Sequence, residues 1–383
     1  MTAALRLAQR GDRVTLLERE PLPGGLAAGF QVDDGIWLEK FYHHLFRSDR
    51  RAVGLIDEMG LSGRLEWHAP VTATLHEGRF HQLDSPASLL RFSPLPVVDR
   101  LRLGATLATL KAMPNPRLLE GHTAAEWTRR WMGDRAYETV WEPLLRGKFG
   151  ATAWEITMPW FWARVHDRTQ ALGYLRGGFQ RLYDALDAAI RSAGGETRYG
   201  VAVTSVRTAA GGLLVETDGG AERFDRVVST FATRLTARLV PELPQSWRDR
   251  HEWGRAYGAH CAVLALDRPL TSVYWLNVND PGYPFMALVE HTNYMPATDY
   301  GARHLVYLGN YRPMDDPLMT ASREAVVDEF MPHLERINPE FRSSWVTDAW
   351  AFAAPGIRRF RSACRRRGTR TTAPATAGSQ RPR

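Results

Sequence analysis

The stretch TLLEREPLPGGLAAGF, Thr15 to Phe30, carries the first structural message of the chain. Val14 to Leu17 is a short β-branched and aliphatic run of the kind that fills a strand covered on both faces of a parallel sheet. It ends on an acid, Glu18, and six residues later comes the pair Gly24-Gly25. Upstream, Ala4, Leu5 and Ala8 recur at helical spacing, and Gly11 supplies the left-handed position that closes a helix. Helix, glycine, strand and terminal acid form the second half of a βαβ nucleotide-binding unit, where the carboxylate accepts ribose hydroxyls. Such an acid falls about 20 residues beyond a glycine-rich phosphate loop. Counting back from Glu18 puts the end of that loop just before Met1, so the unit is expected to lack its first strand and loop.

Further along, Ser48–Met59 reads as a helix, and VTATLHEGRFHQL, within residues 67–83, as a hairpin turning at Glu-Gly. Residues 85–174 are helical and rich in Trp and Leu, with proline breakers, and read as an inserted cap. LRGGFQRLYDALDAAIRSAGG sets Phe179, Leu182, Leu186 and Ile190 on one helical face, and Gly194-Gly195 ends it. VAVTSVRTAAGGLLVETDGGAERFDRVVSTFA alternates and turns like a three-stranded meander. A second strand-rich portion spans 258–310, and a helix over Ala321–Ile337 follows it. After Pro355 the text is almost free of aliphatic residues and cannot bury enough surface to order itself, so 356–383 is expected to be a disordered basic tail.

With 383 residues, 44% hydrophobic and 24% charged, the chain is long enough for two domains or one large discontinuous one. No run approaches the roughly 18 apolar residues of a membrane span, and the N-terminus lacks the apolar core and cleavage site of a signal peptide. Cys261 and Cys364 make neither a disulfide framework nor a metal spacing, which fits a reducing, cytoplasmic setting. The net charge of +7 belongs to the tail: nine arginines and no acid lie between Arg358 and Arg383, leaving −2 for the rest. A nucleic-acid binder places its cations within the folded part, so no nucleic-acid partner is expected. No Ser/His/Asp order, Walker loop, HExxH or EF-hand pattern is present, which argues against hydrolase, kinase and metal-dependent chemistry.

ALRLAQRGDRVTLLEREPLPGGLAAGF resembles the start of the flavin-dependent amine oxidase superfamily, which includes protoporphyrinogen oxidases and phytoene-type desaturases. Gly24 and Gly25 match that family's glycine pair, whose backbone passes close to the pyrophosphate and flavin. Val203, the first residue of Val203-x-x-Val206, matches the position whose backbone meets the adenine, and FDRVVSTFA looks like the strand leading back to the cofactor domain. HTAAEWTRRWMGDRAYETVWEPLLRGKFG resembles the helical part of the protoporphyrinogen-oxidase-like branch, and the likeness covers roughly residues 1–355. Many relatives carry Arg where this chain has Glu20 and Leu26, and they close with a glycine-rich segment against the flavin ring where this chain has arginines.

The resemblance implies an α/β fold with a Rossmann-like FAD-binding domain (incomplete), a discontinuous α+β substrate domain and a helical cap. The FAD-binding parts are 1–66 and 175–235, the substrate domain with its cap 67–174 and 236–355, and the tail 356–383. It implies FAD as cofactor, held by Glu18, Gly24, Gly25, Leu26 and Val203, with no metal. The cavity candidates are Tyr42, His43, which titrates near neutral pH when solvated, and Lys148. The expected chemistry is hydride transfer from a small apolar or cyclic substrate to flavin, with O₂ or another acceptor closing the cycle. The apolar stretch SLLRFSPLPVV, with Trp160, Phe161 and Trp162, suits such a substrate or a peripheral contact with a membrane surface. Two rival readings stand beside it: a truncated or frameshifted remnant that holds no flavin, and a basic-tailed interaction protein.

Overall fold

A computed structural model describes residues 1–251 and 255–360. The helix Thr2–Gln9 turns Ala4, Leu5 and Ala8 inward, against Leu182, Leu186 and Ile190 of the helix Gln180–Ser192. Gly195 follows the end of the second helix, where a Cβ would lie 2.7 Å from Ile190 of that same helix. The strand Thr15–Glu18 follows and pairs in parallel with Glu196–Tyr199, Thr15 opposite Glu196 and Glu18 opposite Tyr199. The carbonyls of Val14 and Glu18 accept from the N–H groups of Glu196 and Val201. Residues 14, 16 and 18 therefore bond toward that neighbour, and the backbone groups of Thr15 and Leu17 point to the other edge. Among the described residues no strand pairs there.

The meander is present as three antiparallel strands, Val203–Ala209, Gly212–Thr217 and Gly220–Phe224. The return strand expected in FDRVVSTFA is not. Residues 225–231 carry no regular structure, and Val227, Val228 and Phe231 are exposed. An interior strand persists only where a neighbour takes its N–H and C=O groups, and the open edge beside Thr15–Glu18 offers this segment no bridging strand.

The largest element is a mixed seven-stranded sheet in the order Val346–Phe360, Arg255–Leu266, His304–Arg312, Ala287–Glu290, Trp275–Val278, Thr72–His76 and Arg79–Gln82. Its strands alternate faces with period two. Ala262, Leu264, Leu266, Val306 and Leu308 meet Val326, Phe330 and Leu334 of the helix Arg323–Ile337. Cys261, Val263, Ala265, Leu305 and Tyr307 share a second core with Leu38, Leu172 and Tyr174. Each fully buried aliphatic or aromatic side chain here contributes about 1.5–3 kcal/mol. The last strand continues to Phe360, five residues into the stretch expected to be disordered. The remainder of that expectation, 361–383, lies outside the described residues.

The helices between Pro86 and His166 pack around their own core, including Phe92, Leu103, Met132, Tyr137, Phe149 and Phe161. Thr123 caps the helix Ala124–Met132 by accepting from the N–H of Glu126. Among the described residues no helix is long and apolar enough to cross a membrane.

Candidate functional site

Glu18 closes its strand half-buried, with Oε1 accepting the N–H of Glu20 at 2.9 Å. The same corner holds the N-terminal end of the first helix, where Glu18 attracts the amino group of Met1. The turn that follows needs glycine for stated reasons. Gly24 has φ +125°, and a Cβ on it would lie 2.7 Å from the Tyr183 ring and 2.8 Å from Ala28 Cα. Gly25 has φ +57° with open space around it, and Leu26 beside it is half-exposed. Val203 opens the meander opposite Thr217, and the ladder slips before Ser205. Leu17, Val201, Thr217 and Asp218 line a cleft of about 560 Å³ beside it.

Two of the other candidates, Tyr42 and Lys148, meet a single strand. On His304–Arg312, residues 307, 309 and 311 share one face. The Tyr307 hydroxyl donates to the carbonyl of Glu39 at 2.8 Å. Gly309 leaves room for Tyr42, whose ring a Cβ would touch at 2.6 Å. Tyr311 lies under Lys148, with Nζ 5.9 Å from the ring centroid. Tyr42 also stands edge-on to Trp275 at 4.8 Å and to Tyr307 at 6.0 Å, so an aromatic wall forms between the two halves of the molecule.

Burial shifts the pKa of His43 below the ordinary histidine value. Its Nδ1–H donates to the Phe41 carbonyl at 2.5 Å, which leaves Nε2 as an acceptor. His44, passed over in the sequence, reaches across to the Tyr274 hydroxyl at 3.2 Å. Burial pushes it down to about 3, helped by Arg168.

Sequence reasoning also missed Glu39. It is 1% exposed; its Oε1 accepts the N–H of Phe179 at 2.7 Å and its Oε2 the Tyr174 hydroxyl at 2.7 Å. Burial raises its carboxyl to about 7. Glu290 is similarly raised to about 7, with Leu270 and Thr271 donating to it. The sole sequence signal for Glu39 is an acid that ends an apolar run, IWLE, directly before the candidates Tyr42 and His43. The five cofactor-side candidates thus gather around the Glu18 corner and the meander, while Tyr42 belongs to the aromatic wall, Lys148 lies over Tyr311 of the same strand, and His43 bonds back to Phe41.

Comparison with known proteins agrees with this architecture. A 146-residue stretch is 27% identical to 15-cis-phytoene desaturase of Narcissus pseudonarcissus, covering 34% of this chain and 26% of that protein, so the match spans about a quarter of the curated relative. A protein of Exiguobacterium sp. 255-15, classed as a candidate protoporphyrinogen oxidase, superposes with a TM-score of 0.74 at 19% identity, over 94% of this chain and 85% of its own. An oxidoreductase of Methanosarcina mazei gives 0.72 at 18% identity, over 94% and 87%. At these identities the likeness concerns the fold. The family model described as flavin containing amine oxidoreductase matches residues 1–375, past the point where the sequence resemblance fades. With that match over nearly its whole length, the chain belongs to the flavin containing amine oxidoreductase family.

Proposed function

We propose that the chain is an FAD-dependent oxidoreductase that takes a hydride from a C–H or N–H bond of a lipophilic or cyclic substrate, with O₂ or another acceptor completing turnover. The observation that carries this is the aromatic wall of Tyr42, Trp275 and Tyr307, set between a dinucleotide-type corner and a large sheet. Membership of a flavin oxidoreductase family supports it. Gly25, with positive φ and open space where a Cβ would stand, supports a close backbone approach of the cofactor at the corner.

In this reading Glu18 accepts ribose hydroxyls, the Gly24-Gly25 backbone and Leu26 pass the pyrophosphate, and the Val203 backbone meets the adenine. Bound flavin supplies the two-electron chemistry, while the protein aligns the bond and excludes water. Tyr42 and Trp275 present an apolar face to the substrate. His43, anchored through Nδ1 to the Phe41 carbonyl, orients the substrate, and Lys148 borders the same cavity. Leu90, Val97, Val98 and Leu101 are more than half exposed along one part of the cap, and they support a peripheral contact with a membrane surface through which an apolar substrate arrives.

A second reading is a protein that folds but holds no flavin. The unpaired edge of Thr15–Glu18 and the exposed Val227, Val228 and Phe231 favour it. One visible absorption spectrum, taken after adding FAD and removing the excess, separates the two. Retained flavin bands are expected for the enzyme, and a colourless protein supports the second reading.

A further inference from the structure

A three-stranded sheet runs in the order Leu45–Phe46, Leu172–Leu175 and Leu65–His68. Side chains alternate along its first strand. On one side His44 and Phe46 meet ring to ring at 5.3 Å, and His44 reaches the Tyr274 hydroxyl. On the other the Arg47 guanidinium lies over the Trp67 indole, 4.5 Å from its centroid. The helix Arg50–Glu58 borders this second side, and a cleft of about 490 Å³ opens there, with Arg47, Arg50, Val53, Asp57, Leu65 and Trp67 in its walls. It shares no lining residue with the cleft beside Val203.

The groups in this cleft are held in place. The Trp67 ring rests on Gly173, where a Cβ would lie 2.8 Å from it, and the Arg47 N–H donates to Thr169 Oγ1 at 3.1 Å. Stacking engages the face of the Arg47 guanidinium and leaves its in-plane N–H donors for an acid. Among the described residues neither Arg47 nor Arg50 has a carboxylate within ion-pair distance. Asp57, about two helical turns beyond Arg50, accepts from the Ser62 hydroxyl at 2.5 Å. Two cations against one carboxylate leave the cleft a single positive charge. A monoanion balances it, which favours a carboxylate over a phosphate monoester, close to doubly charged at neutral pH.

We propose that this cleft binds a small flat aromatic carboxylate that bears an N–H donor on its ring. The carboxylate takes the Arg47 and Arg50 guanidiniums, the ring lies against Trp67 between Val53 and Leu65, and the donor meets Asp57. The site occupies the back of the segment that carries His44, and it does not depend on the function proposed above.

The test titrates para-aminobenzoate into the isotope-labelled full chain and follows the indole N–H resonance of Trp67, assigned through Trp67→Phe. Saturable movement of that resonance is expected. The dissociation constant should rise about tenfold in Arg47→Gln and in Arg50→Gln, both exposed positions where the fold is retained. Cyclohexanecarboxylate, equal in charge but not flat, should bind severalfold more weakly than benzoate. Asp57→Asn should reduce the preference for para-aminobenzoate over benzoate. No saturable movement, an affinity unchanged in both arginine variants, or equal binding of cyclohexanecarboxylate and benzoate overturns the proposal, and an unchanged preference in Asp57→Asn overturns the donor contact. Should Trp67→Phe fail to fold, calorimetric titration of the parent and the arginine variants decides by the same criteria.

Discussion

Gly24 and Glu39 show how single side chains hold this site. At Gly24 both conformation and space exclude a side chain, because φ is +125° and the Tyr183 ring and Ala28 backbone occupy the Cβ position. Gly24→Ala is expected to cost about 2–3 kcal/mol in urea unfolding. Gly25→Ala, strained but unobstructed, is expected to cost about 1 kcal/mol. Glu39 holds its proton more tightly folded than unfolded, its carboxyl rising from 4.5 to about 7. Its stabilisation is therefore complete below about pH 4.5 and fades as pH climbs through about 7, a change of about 3 kcal/mol. Glu290 acts in the same direction. His44 and His291, lowered from 6.5 to about 3, are neutral in the fold, so their stabilisation is complete above about pH 6.5 and fades as pH falls toward about 3. Thermal melts from pH 4 to 9 should therefore trace a dome, and Glu39→Gln should flatten its alkaline side.

Among the elements, the strand His304–Arg312 does the assembling. Alternation sends Val306 and Leu308 to the helix-covered core and leaves Tyr307, Gly309 and Tyr311 for Glu39, Tyr42 and Lys148. The segment 225–231 behaves in the opposite way, with a strand-like sequence that forms no strand. Hydrogen exchange should find its amides fast, within the range of frayed loops, and slow exchange there would mean that the segment is paired in solution. On the cap, Val98 is 74% exposed. Val98→Asp is expected to shift stability by less than about 0.5 kcal/mol and to reduce co-sedimentation with phospholipid vesicles severalfold; unchanged sedimentation would remove the membrane contact from the reading.

Across the whole molecule, one seven-stranded sheet joins the parts, burying one face under the helix Arg323–Ile337 and the other in the core that holds Leu38, Leu172 and Tyr174. Leu264, 1% exposed beneath that helix, should cost about 2–5 kcal/mol when truncated to Ala, read from denaturant midpoints. The sequence by itself determined the helix–strand–acid–glycine order around Glu18, the meander and the helices between Pro86 and His166, because these depend on local periodicity and on glycines whose φ angles other residues rarely adopt, while the family was legible from the resemblance of its motifs. It also placed Tyr42 and Lys148 among the candidates, without any means of showing that they meet the same strand. Only the tertiary structure decided that Glu39 is a buried acid with its carboxyl raised to about 7, that burial lowers the pKa of His43, and that 225–231 forms no strand. A lone glutamate reads as solvated, a histidine as titratable and an alternating run as a strand until neighbours distant in sequence either remove water from them or fail to pair with them. Burial and strand pairing are properties of contacts between distant segments, and no local pattern encodes them.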